Sequence, residues 1–331
     1  MEPLTHIASG ALGACVARRP SEGRYITLFC IAAAWLPDID NLAGFVGPEL
    51  YLIHHRGITH SILGGFVLSG LLVAIFRLFI KSFPIKRGLA ISYLLILVHI
   101  FLDLITSYGT QIFYPITNMR YSIESVFIID PFYTLIMVTI LCFSLLNKKN
   151  KKKVAVLGFV WLFLYPMMNL GIKHIVQYRV ENILKGSKAV FDKVHISPDA
   201  LTPVFWKVIV EDNTSYQIGG LSLLDLGKPI DYKEFKRAEP DLFKRFGKYA
   251  SIFNTYFWFA GYPVMKTKTS HNGMNITFGD LRFSSTVGFA RNLLKNKQLP
   301  FSLTAILDQN HKITGYYYFH HGKAGIIQRL E

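Results

Sequence analysis

Leu94–Tyr108 reads LLILVHIFLDLITSY, a run apolar enough for a bilayer that nevertheless carries His99 and Asp103. Residues four apart share one face of a helix, so the imidazole and the carboxylate point the same way out of a hydrophobic segment. Ionisable groups are expensive in that setting and mark a functional site by default. A histidine paired for structural reasons alone is the competing explanation. The wider pattern favours function, because Asp38, Asp40, His55, His60 and Asp130 also stand at the ends of apolar stretches.

Other long apolar runs extend this reading to the whole N-terminal half. Ile62–Ile80, Leu89–Thr106, Phe132–Leu146 and Val154–Gly171 approach the length that crosses a bilayer. Leu4–Ala17 and Tyr25–Leu36 are shorter and flank a polar RRPSEGR turn, which predicts a half-buried helical hairpin packed on the longer helices. Pro37 is expected to end the second helix, leaving PDID as a loop. A hydrophobic content of 51% and a mean hydropathy of +0.31 agree with a multi-pass membrane domain, assigned to residues 1–172.

From about His174 the pattern changes to short β-branched and aromatic runs, VFWKVIVED, YQIGGLSLLDL, MNITFGDLRFS and FSLTAILDQNHKITGYYYF, with a helical stretch near Pro240–Phe259. Residues 173–331 are therefore expected to form a soluble α+β domain with an antiparallel sheet. It holds about 22 basic against 13 acidic residues.

The net charge of +15 raises nucleic acid as a partner. Much of the excess sits in short clusters between apolar runs: Arg18/Arg19/Arg24, Lys81/Lys86/Arg87 and Lys148–Lys153. These are alternate loops, as topology signals are, and no nucleic-acid partner is expected. Placing all three on the cytoplasmic side puts the N-terminus, PDID, HHRGITHS, Ser107–Asp130 and the C-terminal domain outside. Every His/Asp candidate then falls on one membrane face. Long domains translocate regardless of charge, so the basic C-terminal part does not disturb this assignment. MEPLTHIASG lacks the basic region of a signal peptide and is read as retained. Cys15, Cys30 and Cys142 lie in apolar stretches and read as small core residues.

The supply of His6, Asp38, Asp40, His55, His60, His99, Asp103 and Asp130 exceeds what one structural zinc needs. It suits a centre of two or more divalent ions, Zn first and Mn or Fe as alternatives, of the kind that acidifies water and clamps both oxygens of an ester hydrolysis. Single residues have simpler explanations. His6 could be interfacial, Asp38 and Asp40 turn residues, and Asp130 a helix N-cap before Pro131. Arg56 either stabilises charge on a phosphoryl oxygen or reaches for a lipid headgroup. Ser61 and Thr59 could orient ligating histidines. Asp40 and Asp130 are the carboxylates available to move a proton. A Ser-His-Asp hydrolase is disfavoured by the lack of a G-x-S-x-G turn.

The order THIASGALG (5–13), LPDID (36–40), HRGITHS (55–61), HIFLDLITSYGTQIFYP (99–115) and Asp130-Pro131 resembles the YdjM-like family of bacterial inner-membrane proteins, described as membrane-bound metal-dependent hydrolases. The likeness covers about the first half by motif. It implies that His55, His60, His99 and Asp103, with Asp38 and His6, bind metal. In motif style alone the chain is similar to zinc-dependent phospholipase C and its nuclease relatives. The resulting expectation is a phosphoesterase at the outer face of the cytoplasmic membrane, acting on a lipid or lipid-linked molecule. A metal or ion transporter, and an envelope-binding protein with a structural metal, are the alternatives.

Overall fold

Helices dominate the first half because its apolar runs are long and nearly free of internal breakers. In the computed structural model they are α1 (Pro3–Ala17), α2 (Tyr25–Trp35), α3 (Ala43–Val46), α4 (Pro48–His54), α5 (Ile62–Phe79), α6 (Ile85–Leu104), α7 (Pro131–Leu146) and α8 (Lys151–Gly186). The structure describes residues 1–19, 22–186, 191–270, 273–288, 290, 299–320, 323–325 and 327–329, so positions 20 and 21 of the RRPSEGR turn lie outside it. Four helical runs are long and apolar enough to cross a membrane: Tyr25–Val46, Ile62–Phe79, Ile85–Leu104 and Lys151–Gly186. Their outward faces are apolar, with Phe66, Val67, Leu71 and Leu78 exposed along α5, as a lipid solvent requires.

Four details depart from the sequence reading. The second helix, expected in a short half-buried hairpin, continues through the 3-10 segment into a 22-residue run, Tyr25–Val46, that is long and apolar enough to cross a membrane. PDID is no loop but part of a 3-10 helix, Leu36–Leu42, with proline in its first turn, where a fixed φ and a missing N–H are tolerated. Pro131–Leu146 has only 16 residues, a rise of about 24 Å against a hydrocarbon core of roughly 30 Å. Cys142 is exposed, unlike the buried Cys15 and Cys30.

Among the described residues of the helical part, two core clusters meet along α1. Ala8, Leu12 and Cys15 pack with Leu102, Tyr133, Met137 and Leu162, whereas Ala14 packs with Phe29, Ala33, Val73, Phe83 and Leu95. Glycine permits the close approach of α1 to α2. A Cβ on Gly10 would stand 2.8 Å from the Cys30 carbonyl oxygen and from Ile31 Cα.

The chain divides into two units, one made of 1–45 and 54–172, the other of 46–53 and 173–331. Within the second, one antiparallel sheet runs in the order β1 (Lys193–Pro198), β2 (Phe205–Glu211), β3 (Ser215–Ser222), β4 (Tyr232–Lys236). Helices α9 (Pro240–Gly247) and α10 (Ile252–Phe259) follow. The second antiparallel sheet contains β5 (Pro263–Ser270), β6 (Gly273–Asp280), β7 (Ser302–Leu307), β8 (Ile313–His320), β9 (Lys323–Ala324) and β10 (Gln328–Arg329). Residues of the 46–53 segment are tied into this unit: the Glu49 carboxylate accepts from the hydroxyls of Ser251 and Thr255, both at 2.8 Å. That places an acid at the start of α10, where the helix dipole favours it. Lys207 is fully buried and donates to the carbonyls of Leu281, Arg282 and Ser284 at 2.8–2.9 Å. Tyr256 and Arg282 are buried in this unit, Arg282 bonded to Asp280 at 2.7 Å.

Gly10→Ala should destabilise the detergent-solubilised protein by about 1–3 kcal/mol, because the clash is with backbone. Gly70→Ala, on α5 with open space around it, should be neutral or slightly stabilising. Thermal melts of the two variants side by side check the pair.

Candidate metal centre

Local chain geometry at three helix ends brings the polar groups together. Pro37 has no N–H to offer the Ala34 carbonyl three residues back, as a 3-10 bond would require. That oxygen instead lies 2.7 Å from His99 Nδ1. A carbonyl only accepts, so Nδ1 carries the proton and His99 Nε2 presents a lone pair. On the other side of the cluster, His60 Nδ1 lies 2.9 Å from Asp40 Oδ2, which fixes the same tautomer in His60.

The two Nε2 atoms face each other at 2.9 Å. Asp103 Oδ2 lies 3.0 Å from His60 Nε2 and 3.4 Å from His99 Nε2, and Asp38 Oδ1 is 3.7 and 3.8 Å from the same two atoms. One donor atom from each of Asp38, His60, His99 and Asp103 therefore falls within 4.8 Å of the other three. Three of the four side chains are 0–1% exposed, and Asp38 is 12% exposed. His6 stacks on His99 with ring centroids 3.8 Å apart. Its Nε2 lies 3.5 Å from Asp103 Oδ1, yet among the described residues neither ring nitrogen has a hydrogen-bond partner. Buried polar atoms rarely go unpaired in a native fold. A set of imidazole and carboxylate atoms, all acceptors turned inwards, is the donor chemistry of a divalent cation.

Electrostatics favours positive charge at the same point. Burial opposes a charge on His60, but the carboxylates of Asp40, Asp103 and Asp38 around it favour the imidazolium over the neutral ring, and a cation held at Nε2 would take the place of that second proton. Arg56 supplies further positive charge from the side. Its guanidinium lies 2.8 Å from Asp103 Oδ1, donates to Thr106 Oγ1 at 2.8 Å and sits 4.8 Å over the Tyr108 ring. Arg56 is 4% exposed and adopts φ +58°, a left-handed conformation held only where the surroundings enforce it. The Arg56 N–H donates to Asp40 Oδ2 at 2.9 Å and its carbonyl accepts from Gln111 N at 2.9 Å.

The remaining candidates take other positions. His55 lies outside the group of four, with Nδ1 2.9 Å from Asp40 Oδ1 and its ring centroid 5.1 Å from that of Tyr108. Asp40 bonds His55, His60, the Arg56 N–H and the Thr59 hydroxyl, so it joins LPDID to HRGITHS. Thr59 reaches both Asp40 and His60 Nδ1, whereas Ser61 caps α5 by accepting from Gly64 N at 2.9 Å. Asp130 keeps different company: it caps α7 through Tyr133 N at 3.0 Å and accepts from the Tyr165 hydroxyl at 2.9 Å. Burial pushes its carboxyl up to about 6.

Sequence reasoning passed over Thr106, Tyr108 and Arg120. Arg120 donates to the carbonyls of His55 at 3.0 Å and Gly109 at 3.1 Å, pinning the 107–127 connection onto the HRGITHS turn. Gly109, at φ +90°, was the available signal, since TSYGT (106–110) can reverse there without strain.

Residues 1–177 match the family described as "YdjM inner membrane protein". A relative from Bacillus subtilis (strain 168), named "Uncharacterized protein YfhP", is 28% identical over 139 residues, which is 40% of this chain and 42% of that one. The match thus spans about two-fifths of the curated relative's length. No solved structure matches the chain.

Two substitutions separate the cluster from Asp130. Asp103→Asn should lower metal affinity by at least the 10–100-fold typical of a perturbed site, read as metal content after gel filtration. Asp130→Asn should leave metal content unchanged and alter the pH profile of stability. A carboxyl raised to about 6 in the fold, from an unfolded value near 4, makes the protein less stable as pH rises between those values. The slope amounts to about 3 kcal/mol and should vanish in the variant, by melts from pH 4.5 to 7.

Proposed function

Since the chain belongs to the family of YdjM inner membrane proteins, we propose that it is a membrane-bound metal-dependent hydrolase, a phosphoesterase acting on a lipid or lipid-linked substrate at the outer face of the membrane. The observation that carries this reading is the convergence of Asp38, His60, His99 and Asp103 on one point, with a buried arginine beside it. His6 stacks on His99 beside this set. A divalent ion of the Zn, Mn or Fe type held there would acidify a water molecule and withdraw charge from a phosphoryl oxygen.

The protein's own groups prepare that chemistry. The Ala34 carbonyl and the Asp40 carboxylate hold protons on the far nitrogens of His99 and His60, keeping the near ones free to ligate. Asp40 acts through these histidines and through His55. Arg56 spends its terminal nitrogens on Asp103 and Thr106, while its Nε has no hydrogen-bond partner among the described residues. That N–H is the donor left to meet negative charge developing on a substrate oxygen. Asp38, the most exposed of the four, marks the side from which substrate arrives. The four donors span the cage of one ion, so one tightly held ion per chain is expected, and a second would have to recruit His6 or His55.

Burial of three of the four donors also supports a second reading, in which the ion only staples α6 and the two 3-10 segments together. Elemental analysis of the detergent-purified protein, followed by a screen of lipid phosphate esters, addresses both. For a hydrolase, Arg56→Gln keeps its metal and loses about 10²–10³ in turnover, and His99→Ala loses both. If no ester is cleaved by the metal-loaded protein and chelation unfolds it, the staple stands. Metal flux in proteoliposomes would replace both readings with transport.

A further inference from the structure

At the other end of α1 and α6, three connections remote in sequence bring their cations together. Arg18 and Arg19 follow α1, Arg87 lies in the first turn of α6, and Lys148, Lys149, Lys151 and Lys152 surround the turn from α7 to α8. They line two adjoining hollows of about 520 and 360 Å³ that share Arg18, Arg19 and Lys152. Among the described residues, neither hollow is lined by an aspartate or a glutamate.

The backbone beneath these side chains is fixed. The Ser144 hydroxyl donates to the Lys151 carbonyl at 2.8 Å, and the Asn147 side chain accepts from Asn150 N at 3.1 Å. Arg87 donates to the Glu22 carboxylate and to the Ala17 carbonyl. Glu22 is the one carboxylate bonded into the cluster among the described residues. Lys148, Lys149, Lys151 and Lys152 have no acidic partner there. Lys151 and Lys152 also occupy the first turn of α8, where the positive end of the helix dipole repels them and the exposed N–H groups favour an anion. Like charges gathered on a fixed backbone against the local dipole are relieved by a bound anion.

We infer that these hollows bind the phosphate of an anionic phospholipid. Lipid is favoured over a soluble phosphate by what lies next to the cations. Leu145 and Leu146 at the end of α7, and Val156 and Leu157 one turn into α8, are exposed apolar side chains. An acyl chain can lie along them while its headgroup sits among the lysines, which is how basic clusters at helix ends take up acidic lipids. This site is independent of the His/Asp cluster and of the hydrolase reading.

The test uses the full chain in an uncharged detergent. Phosphatidylglycerol, phosphatidylcholine with the same acyl chains, and inorganic phosphate are added separately, and retained lipid is read by native mass spectrometry alongside the melting temperature. Phosphatidylglycerol should be retained in preference to phosphatidylcholine, with a melting shift that shrinks as salt rises. Arg18→Gln with Lys152→Gln should weaken retention by roughly a factor of five per charge removed. Lys148→Gln with Lys149→Gln provides a second variant should the first fail to fold, and Arg24→Gln, which lines neither hollow, should behave as the parent. Equal retention of both lipids, or full retention in a folded double variant, overturns the site and leaves the cluster a topology signal. An equal melting shift from inorganic phosphate overturns the assignment to lipid.

Discussion

An ionised carboxylate at the end of an apolar helix has to be neutralised by its neighbours, and the way this is done for Asp103 organises the helical unit. Its oxygens are approached by Arg56 and His60, with His6 and His99 behind them. Those partners come from α1, from the turn before α5 and from α6 itself. Holding them in place requires Asp40 to bind the HRGITHS turn and Arg120 to clamp that turn from the 107–127 connection. The left-handed Arg56 follows from these constraints. Each contact by itself is ordinary, but removal of Asp103 would leave a buried arginine unpaired, which costs far more than the ion pair contributes.

The parts of this design that depend on helical periodicity were legible in the sequence. His99 and Asp103 had to share a face whatever surrounded them, and the apolar runs carried their own lengths. What a turn does to side-chain direction was not legible. His55 and His60 both belong to HRGITHS, yet only His60 enters the group of four, because the reversed φ at Arg56 and the 3-10 segment that follows rotate the two rings apart. Asp38 enters that group as its motif suggested, but the use of Asp40 to tie LPDID to the HRGITHS turn was not legible, because a 3-10 helix stands where a loop was expected. Asp130 had the right residue type for the cluster, but a carboxylate before proline also satisfies the orphan N–H groups of a helix start, and that local use prevailed in the structure.

In the second unit, strands with alternating or continuous apolar character, such as β2 and β7, announced themselves. β4, with the sequence YKEFK, and β5, with lysines at 266 and 268, carry charge along most of their length and could not be told from loops by pattern alone. Their pairing is fixed by neighbours, β4 by β3 and β5 by β6, which is information that no local window contains.

The division of the chain falls in an inconvenient place for anyone wishing to dissect it. Eight residues encoded between the LPDID and HRGITHS motifs belong structurally with the last 159. An expression boundary drawn at residue 172 therefore strands Glu49 away from Ser251 and Thr255, leaving one fragment with an unsupported excursion and the other with a bare helix start. Hybrids or split-gene pairs built from this protein should carry the 46–53 segment with the C-terminal half, joined by a fresh linker where residues 45 and 54 are reconnected.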